Sequence, residues 1–294
     1  MQDYRVETFL AVCRTLNYTR AAEELNITQP AVSQHIAFLE KEYGAKLFSY
    51  ANRKLSLTPA GELVRRTLAA MAHDDRLLRE SVAACERTSA LSLSIGMTLT
   101  AGEYVVAAPL ATYLRAHPEM QVRLRSRGTE ELLGALDEGV IDCAFVEGFF
   151  DKSAYAWDTF STERLVAICA PGHALAGRTC AFEDLLSEHV LVREEGSGTR
   201  AVLEHALAAR NLALASFART TEVGSINVIK SLVAGGFGLS FMFAAAVSDD
   251  VARGRLSLIE IAGPPICHDI TFIRLKGSTF EGDFQRLFNE LKEC

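Results

Sequence analysis

The 294-residue chain has one tryptophan, seven prolines and no apolar run approaching the roughly 20 residues a bilayer-crossing helix needs, so no membrane partner is expected. Its opening segment, MQDYRVETFLAVCRTLNYTR, lacks a basic stretch ahead of an apolar core, so no secretory signal is expected. The seven cysteines (13, 85, 143, 169, 180, 267 and 294) are odd in number, scattered and never in a Cys-x-x-Cys pair, which suits reduced thiols in a cytoplasmic chain. The seven histidines show no paired spacing for a metal. Gly196-Ser197-Gly198-Thr199 lacks the lysine of a phosphate-binding Walker loop, and Gly235-Gly236-Phe237-Gly238 closes a helix instead of opening one after a strand. No Ser-His-Asp or Cys-His grouping stands out. No cofactor or metal is expected, and the chain does not read as an enzyme.

What is present is an ordinary globular mixture, 49% hydrophobic and 23% charged, at a length that suits two or three domains. The net charge of −7 is uneven. Residues 1–66 hold nine Lys/Arg against seven Asp/Glu, a balance of +2, which leaves 21 against 30, or −9, for the rest. An acidic body repels DNA and leaves any such binding to the N-terminal part.

Within that part, Val6, Phe9, Leu10, Cys13 and Leu16 predict a helix over about 3–16. Thr19 is placed to cap a second helix containing Ala21, Ala22 and Leu25, and Asn26-Ile27 make a tight turn. A third helix follows. Thr28 is its N-cap, Pro30 lies in its first turn, and Val32, Ile36 and Leu39 form its apolar stripe. Gln29, Ser33 and Gln34 point the other way, an uncharged hydrogen-bonding face suited to the major groove. On an isolated helix such a face would be read as solvated surface. Here it follows a tight helix-turn-helix. Gly44 ends the helix, and Leu55 and Leu57 alternate with polar residues in a small hairpin whose tip, Asn52-Arg53-Lys54, would reach phosphates.

Phe9-Leu10-Ala11-Val12, Asn17-Tyr18-Thr19-Arg20-Ala21-Ala22, Thr28-Gln29-Pro30-Ala31-Val32-Ser33, Leu39-Glu40 with Gly44, Leu47-Phe48 and Leu57-Thr58-Pro59-Ala60-Gly61 together resemble the winged helix-turn-helix of LysR-type transcriptional regulators. That family usually has an arginine two residues after the Leu-Phe pair. This chain has Tyr50 there, which leaves Arg53 or Lys54 to supply the backbone contact.

From Pro59 to about Thr88, Val64, Leu68, Met71, Asp75, Leu78, Val82 and Cys85 step by 4, 3, 4, 3, 4 and 3, a heptad seam with one polar break. The simpler reading packs this helix on its own chain. A seam of this length favours pairing with a second copy, and the resemblance implies the same. Two reading helices would then face half-sites on pseudo-palindromic DNA.

Beyond it, strands at Leu91–Gly96, Gln121–Arg127 and Cys143–Val146 alternate with helices at about 104–116 and 130–138. A second set begins at Leu165–Cys169, with strands near 190–192 and 239–241 and helices near 199–210 and 225–235. A late strand at 269–275 and a helix at 280–291 complete a parallel α/β pattern. Two such lobes resemble the effector domain of the same family, which is itself similar to periplasmic solute-binding proteins. The expected architecture is an all-α winged helix-turn-helix domain (1–58), a dimerising linker helix (59–88) and a two-lobed α/β periplasmic-binding-protein-like effector domain (91–294). Lobe I would be 91–162 with 266–294, and lobe II 163–265.

In such folds ligands sit where strand ends and helix N-termini converge. Candidate contacts are Thr98 and Thr100, Thr129, Gly196, Ser197, Gly198, Thr199 and Arg200, and Ser225. The hydroxyls also suit simple capping, and Arg200 suits a structural ion pair. The run Arg193-Glu194-Glu195-Gly196-Ser197-Gly198-Thr199-Arg200 resembles a loop found in one subgroup of the family and points to a small anionic effector. Peroxide-sensing members use cysteines, but Cys143 and Cys169 sit in apolar strands, where inert thiols are expected.

The expected protein is a cytoplasmic, dimeric or tetrameric transcription regulator that binds double-stranded DNA and a small molecule, with RNA polymerase a candidate partner. A transported-solute receptor would leave the first 88 residues unused, and an enzyme would need a catalytic grouping that is not visible.

Overall fold

The structure, a computed structural model, describes residues 3–51, 54–86 and 92–294. Asp3 accepts the Arg5 amide at 2.9 Å and starts α1 (Tyr4–Thr15). Asn17, not Thr19, caps α2 (Tyr18–Glu24), its Oδ1 accepting the Thr19 and Arg20 amides. Asparagine is the stronger cap, so the helix starts earlier than expected. Asn26 takes the left-handed φ of 53° in the turn, and Thr28 caps α3 (Gln29–Tyr43), which ends at Gly44 with φ 66°. Phe9, Val12, Ala21, Val32, Ile36, Leu39 and Leu47 share one core. Burying a large apolar side chain contributes about 1.5–3 kcal/mol, enough in sum to hold so small a domain.

The wing is the hairpin of β1 (Phe48–Ala51) and β2 (Lys54–Leu57). Glu40 anchors it, accepting the Leu47 amide at 3.0 Å and the Lys46 ammonium at 2.6 Å. A Cβ at Gly61 would lie 2.0 Å from the Leu47 carbonyl oxygen, so only glycine lets α4 (Pro59–Glu86) pass beneath the hairpin.

That long helix is docked on the body as well as on the wing domain. Val64 and Leu68, placed on the expected seam, turn inward to the wing-domain core. The exposed apolar face instead carries Leu63, Met71, Leu78 and Val82. Asn52, Arg53, the Cys85 side chain and residues 87–91 lie outside the described residues.

The body begins with β3 (Ser92–Met97), wide π-type turns over Ala101–Val106 and α5 (Ala107–Ala116). Pro109 lacks an amide hydrogen and crowds the carbonyl one turn earlier, which widens the turns where a regular helix was expected. Next come β4 (Gln121–Ser126), α6 (Thr129–Asp137) and β5 (Cys143–Val146), then the long β6 (Tyr155–Cys169). The remaining elements are β7 (Thr179–Cys180), β8 (His189–Val192), α7 (Gly198–Ala208), β9 (Arg219–Glu222), α8 (Ile226–Ala234), β10 (Leu239–Phe243), α9 (Ala244–Ala252), β11 (Ser257–Ile261), β12 (Ile266–Leu275) and α10 (Glu281–Glu293).

One sheet runs β4-β3-β5-β12-β6-β10-β8-β9. Within each lobe the β3–β4, β3–β5, β8–β9 and β8–β10 pairs are parallel, whereas β12 runs antiparallel to β6 over its whole length, against Tyr155 to Leu165. The sheet is therefore mixed, not purely parallel. β6 lies against β12 in the first lobe and pairs with β10 and β11 from Leu165 onward, so these two strands carry the chain between lobes. Lobe I packs Leu93, Ile95, Phe145, Phe272 and Phe288 together, and lobe II packs Leu165, Val190, Leu203, Phe241 and Ile259.

Candidate nucleic-acid interface and ligand cleft

On α3 the buried stripe of Val32, Ile36 and Leu39 holds the helix against the core, and the opposite face is left to solvent. Gln29, Pro30 and Gln34 are exposed and Ser33 is half-buried. The Gln29 Nε2 donates to Ser33 Oγ at 3.0 Å, so the two side chains form one pre-arranged polar unit at the helix start. Thr28 supplies the cap, its Oγ1 accepting the Ala31 amide at 3.4 Å. Behind the helix His35 Nδ1 meets Thr8 Oγ1 at 2.9 Å, which ties α3 to α1. Lys54 is exposed on the wing beside the bare ring of Tyr50, 73% exposed. The geometry can present hydrogen-bonding side chains to base edges from one helix end, with a cation on the flanking hairpin.

The second site lies between the lobes, a cleft of about 260 Å³. Lobe I contributes Thr98 after β3, Arg127 and Gly128 after β4, Glu131 on α6 and Glu147 after β5. Lobe II contributes Arg193 and Glu194 after β8, with Ser197 and Gly198 at the start of α7. Thr98, Glu147, Arg193 and Ser197 are each at least nine-tenths buried, yet Thr98 Oγ1, Glu147 Oε2, one Arg193 Nη and Ser197 Oγ have no hydrogen-bond partner. Buried polar groups are ordinarily bonded, and leaving one unbonded costs about 1–3 kcal/mol. Four such atoms lining one cleft mark a place for a polar ligand.

The other bonds hold the walls. Thr199 Oγ1 donates to Glu147 Oε1 at 3.0 Å and lies 3.3 Å from Thr100 Oγ1, a bridge across the lobes. Thr129 Oγ1 donates to the Glu147 carbonyl. Arg193 is held on Glu194 by two bonds of 2.8 and 2.7 Å. Burial, the largest influence on the Glu147 carboxyl, raises its pKa against the lowering pull of the Thr199 and Thr100 hydroxyls and Arg193.

The expected ligand residues divide. Thr98, Ser197 and Gly198 line the cleft, and Thr100, Thr129 and Thr199 brace it from one layer behind. Gly196, in the left-handed region at φ 85°, turns the loop. Arg200 points away: it donates to Glu204 at 2.8 Å and Glu222 at 2.6 Å and braces the Arg193 carbonyl at 3.3 Å, the structural role left open above. Ser225 only caps α8, accepting the Val228 amide. Glu147, Arg193 and Glu194 were not singled out for the cleft. Glu147 and Arg193 each stand directly after a strand, the position from which parallel sheets present ligand contacts.

Among the described residues no helix is long and apolar enough to cross a membrane, and no group of three His, Cys, Asp or Glu is placed to hold a metal. Cys143 is fully buried, with a pKa raised well above the usual thiol value, chiefly by burial.

Residues 4–62 match the family described as "bacterial regulatory helix-turn-helix protein, lysR family", and residues 86–293 match "LysR substrate binding domain". The regulator CbbR of Rhodospirillum rubrum is 32% identical over 90% of this chain and 87% of its own. A full-length OxyR variant from Pseudomonas aeruginosa superposes with a TM-score of 0.65 at 21% identity, over 100% of this chain and 95% of that one. The regulatory domain of CcmR from Synechocystis PCC6803, solved in complex with 2-PG, gives 0.62 at 24% identity, over 69% of this chain and 96% of that one. The chain belongs to the LysR family of DNA-binding transcriptional regulators, in which a winged helix-turn-helix is joined to a ligand-binding domain, and it is not an enzyme.

Proposed function

We propose that this regulator works in the cytoplasm as a dimer or tetramer, pairing through α4 and reading a pseudo-palindromic promoter site with Gln29, Ser33 and Gln34 of each copy. Lys54, and Arg53 beside it in sequence, would hold the DNA backbone. RNA polymerase is a candidate further partner. Exposed Leu63, Met71, Leu78 and Val82 on one helix support the pairing, because a long uncovered apolar face favours a partner and the heptad steps suit a second copy of the same helix.

The effector is a small anion held between the lobes, in a chain of the subgroup with the Glu195-Gly196-Ser197-Gly198-Thr199-Arg200 loop. The observation that carries this reading is the set of four unbonded buried polar atoms on both walls of the cleft. The starts of α6 and α7 add amide donors and positive dipole ends. The similar CcmR domain holds a small molecule, 2-PG. Isothermal titration of the full chain with small acids and oxyanions tests the reading. Binding that requires Ser197 and Arg193 is the expected result; binding of neutral compounds alone would reject it.

β3 and β5 link this cleft to the linker helix. Thr98 and Glu147 stand at their cleft ends. At their other ends Asp142 accepts the Ser94 amide at 2.6 Å and bonds His73 of α4 at 3.0 Å, with Arg76 on the same carboxylate. A shift of either lobe on ligand binding would therefore reach α4 through two strands.

A further inference from the structure

The charges around the cleft do not suit every anion. Arg193 is neutralised by its paired bonds to Glu194, and Arg127 lies 3.6 Å from Glu131. Glu147 is left as the unmatched charge, so the wall carries three carboxylates against two guanidiniums. Nor can Glu147 swing away. It is seated against the first turn of α7, where a Cβ on Gly198 would lie 2.3 Å from its Cγ.

Its hydrogen bonding defines what can sit opposite. Oε1 is occupied by the Thr199 hydroxyl at 3.0 Å, whereas Oε2 has no partner. An ionised carboxylate only accepts hydrogen bonds. An oxyanion with no hydrogen also only accepts, so the two would face each other as unsatisfied acceptors of like charge at a buried oxygen. A ligand oxygen that still bears an acidic hydrogen removes both penalties by donating to Oε2. Its remaining oxygens then meet Ser197, Thr98 and Arg193, which donate.

We infer that Glu147 selects, among small anions, an oxyanion that still carries an acidic hydrogen above neutrality — phosphate or bicarbonate — and disfavours fully ionised ones such as sulfate. One proton is held between Glu147 Oε2 and the ligand, whichever of the two owned it beforehand. Burial helps, since it keeps the Glu147 carboxyl easier to protonate than an ordinary glutamate. The inference rests on the anion-binding reading of the cleft and adds the feature by which one anion is told from another.

Titration calorimetry of the full chain with inorganic phosphate and with inorganic sulfate, across a series from mildly acidic to mildly alkaline pH, tests it. The wild type should bind phosphate at least about tenfold more tightly than sulfate above neutrality. The gap should narrow on acidification, because sulfate then meets a protonated Glu147, and sulfate affinity should fall by up to about tenfold per pH unit on the alkaline side. In Glu147→Gln the amide oxygen can keep the Thr199 bond while its NH₂ donates into the cleft. This variant should lose the preference for phosphate, and its sulfate affinity should no longer depend on pH. Equal binding of the two anions by the wild type at alkaline pH overturns the selectivity and leaves the anion cleft standing, as does a preference retained by Glu147→Gln. Binding of neither anion by either protein overturns both. Tighter binding of alanine than of phosphate overturns the selectivity too, since an ammonium would then be the donor to Glu147. The wild-type pH series decides the question even if the variant fails to fold.

Discussion

A Cβ at Gly198 would lie 2.4 Å from the Glu147 carbonyl oxygen, so the lobes close over a glycine with no room to spare. Gly198→Ala should hold them apart, at about 1–3 kcal/mol of overpacking, and abolish anion binding while DNA binding persists. Calorimetry with an oxyanion checks this, and unaltered affinity would remove the glycine from the site. Glu147 has a stability consequence whose sign follows from burial. A carboxyl whose folded pKa is raised destabilises the fold as pH climbs from its unfolded value toward the folded one, and stays costly above. Glu147→Gln should therefore melt higher than the wild type at neutral pH, with the difference closing below about pH 4. Equal melting at neutral pH would contradict it. On the DNA face, Gln29→Ala should cost about 1–3 kcal/mol for each base that the side chain reads, seen as a smaller ratio of specific to random binding. Gln29, Thr28 and Ser33 were legible because cap, proline and apolar stripe lie within one helix. Glu147 was not, since the loop that covers it begins 46 residues later in the chain (Arg193) and a charge after four apolar residues looks like any strand end.

At the scale of the element, the linker helix shows where periodicity stops informing. The heptad steps correctly announced a long helix, yet they put Val64 and Leu68 on the pairing face. Both turn inward because the wing-domain core lies on that side and Gly61 lets the helix approach it. The exposed apolar face runs through Met71, Leu78 and Val82. Leu78→Asp should weaken self-association by about 2–5 kcal/mol, the range for removing a buried leucine, and the presence of the change in both copies of a pair doubles the defect. Sedimentation at micromolar protein reads this directly, and an unchanged mass would move the interface elsewhere. Other elements were hidden for comparable reasons. β6 was read only over its apolar second half, because Trp157, Asp158, Thr159, Ser161 and Thr162 in the first half alternate with too few apolar partners to signal a strand. α9 is rich in alanine and aspartate and carries little periodic contrast.

For the whole molecule, the question is how a ligand between the two lobes would alter a grip on DNA. The buried contact of His73 and Arg76 with Asp142 joins α4 to the strand that ends at Glu147. Burial alone would raise the Asp142 pKa, but His73, the Ser94 amide and Arg76 outweigh it and hold the carboxyl below its usual range. A depressed pKa contributes stability that is whole above the unfolded value, about 3.9, and is lost as pH falls through the folded value, so this docking should loosen only in strong acid. Asp142→Asn should leave anion affinity intact and uncouple it from DNA binding. Calorimetry and DNA titration on the same preparation separate the two, and a variant that responds to anion as the wild type does would place the coupling on another path. The most direct test of the account is footprinting of the full chain, with and without phosphate, on the DNA upstream of its own coding region. Two protected half-sites whose spacing or occupancy changes with phosphate, and a pattern abolished in Gln29→Ala, are the expected result. A monomer that protects no sequence, or a footprint indifferent to every small anion, would contradict it.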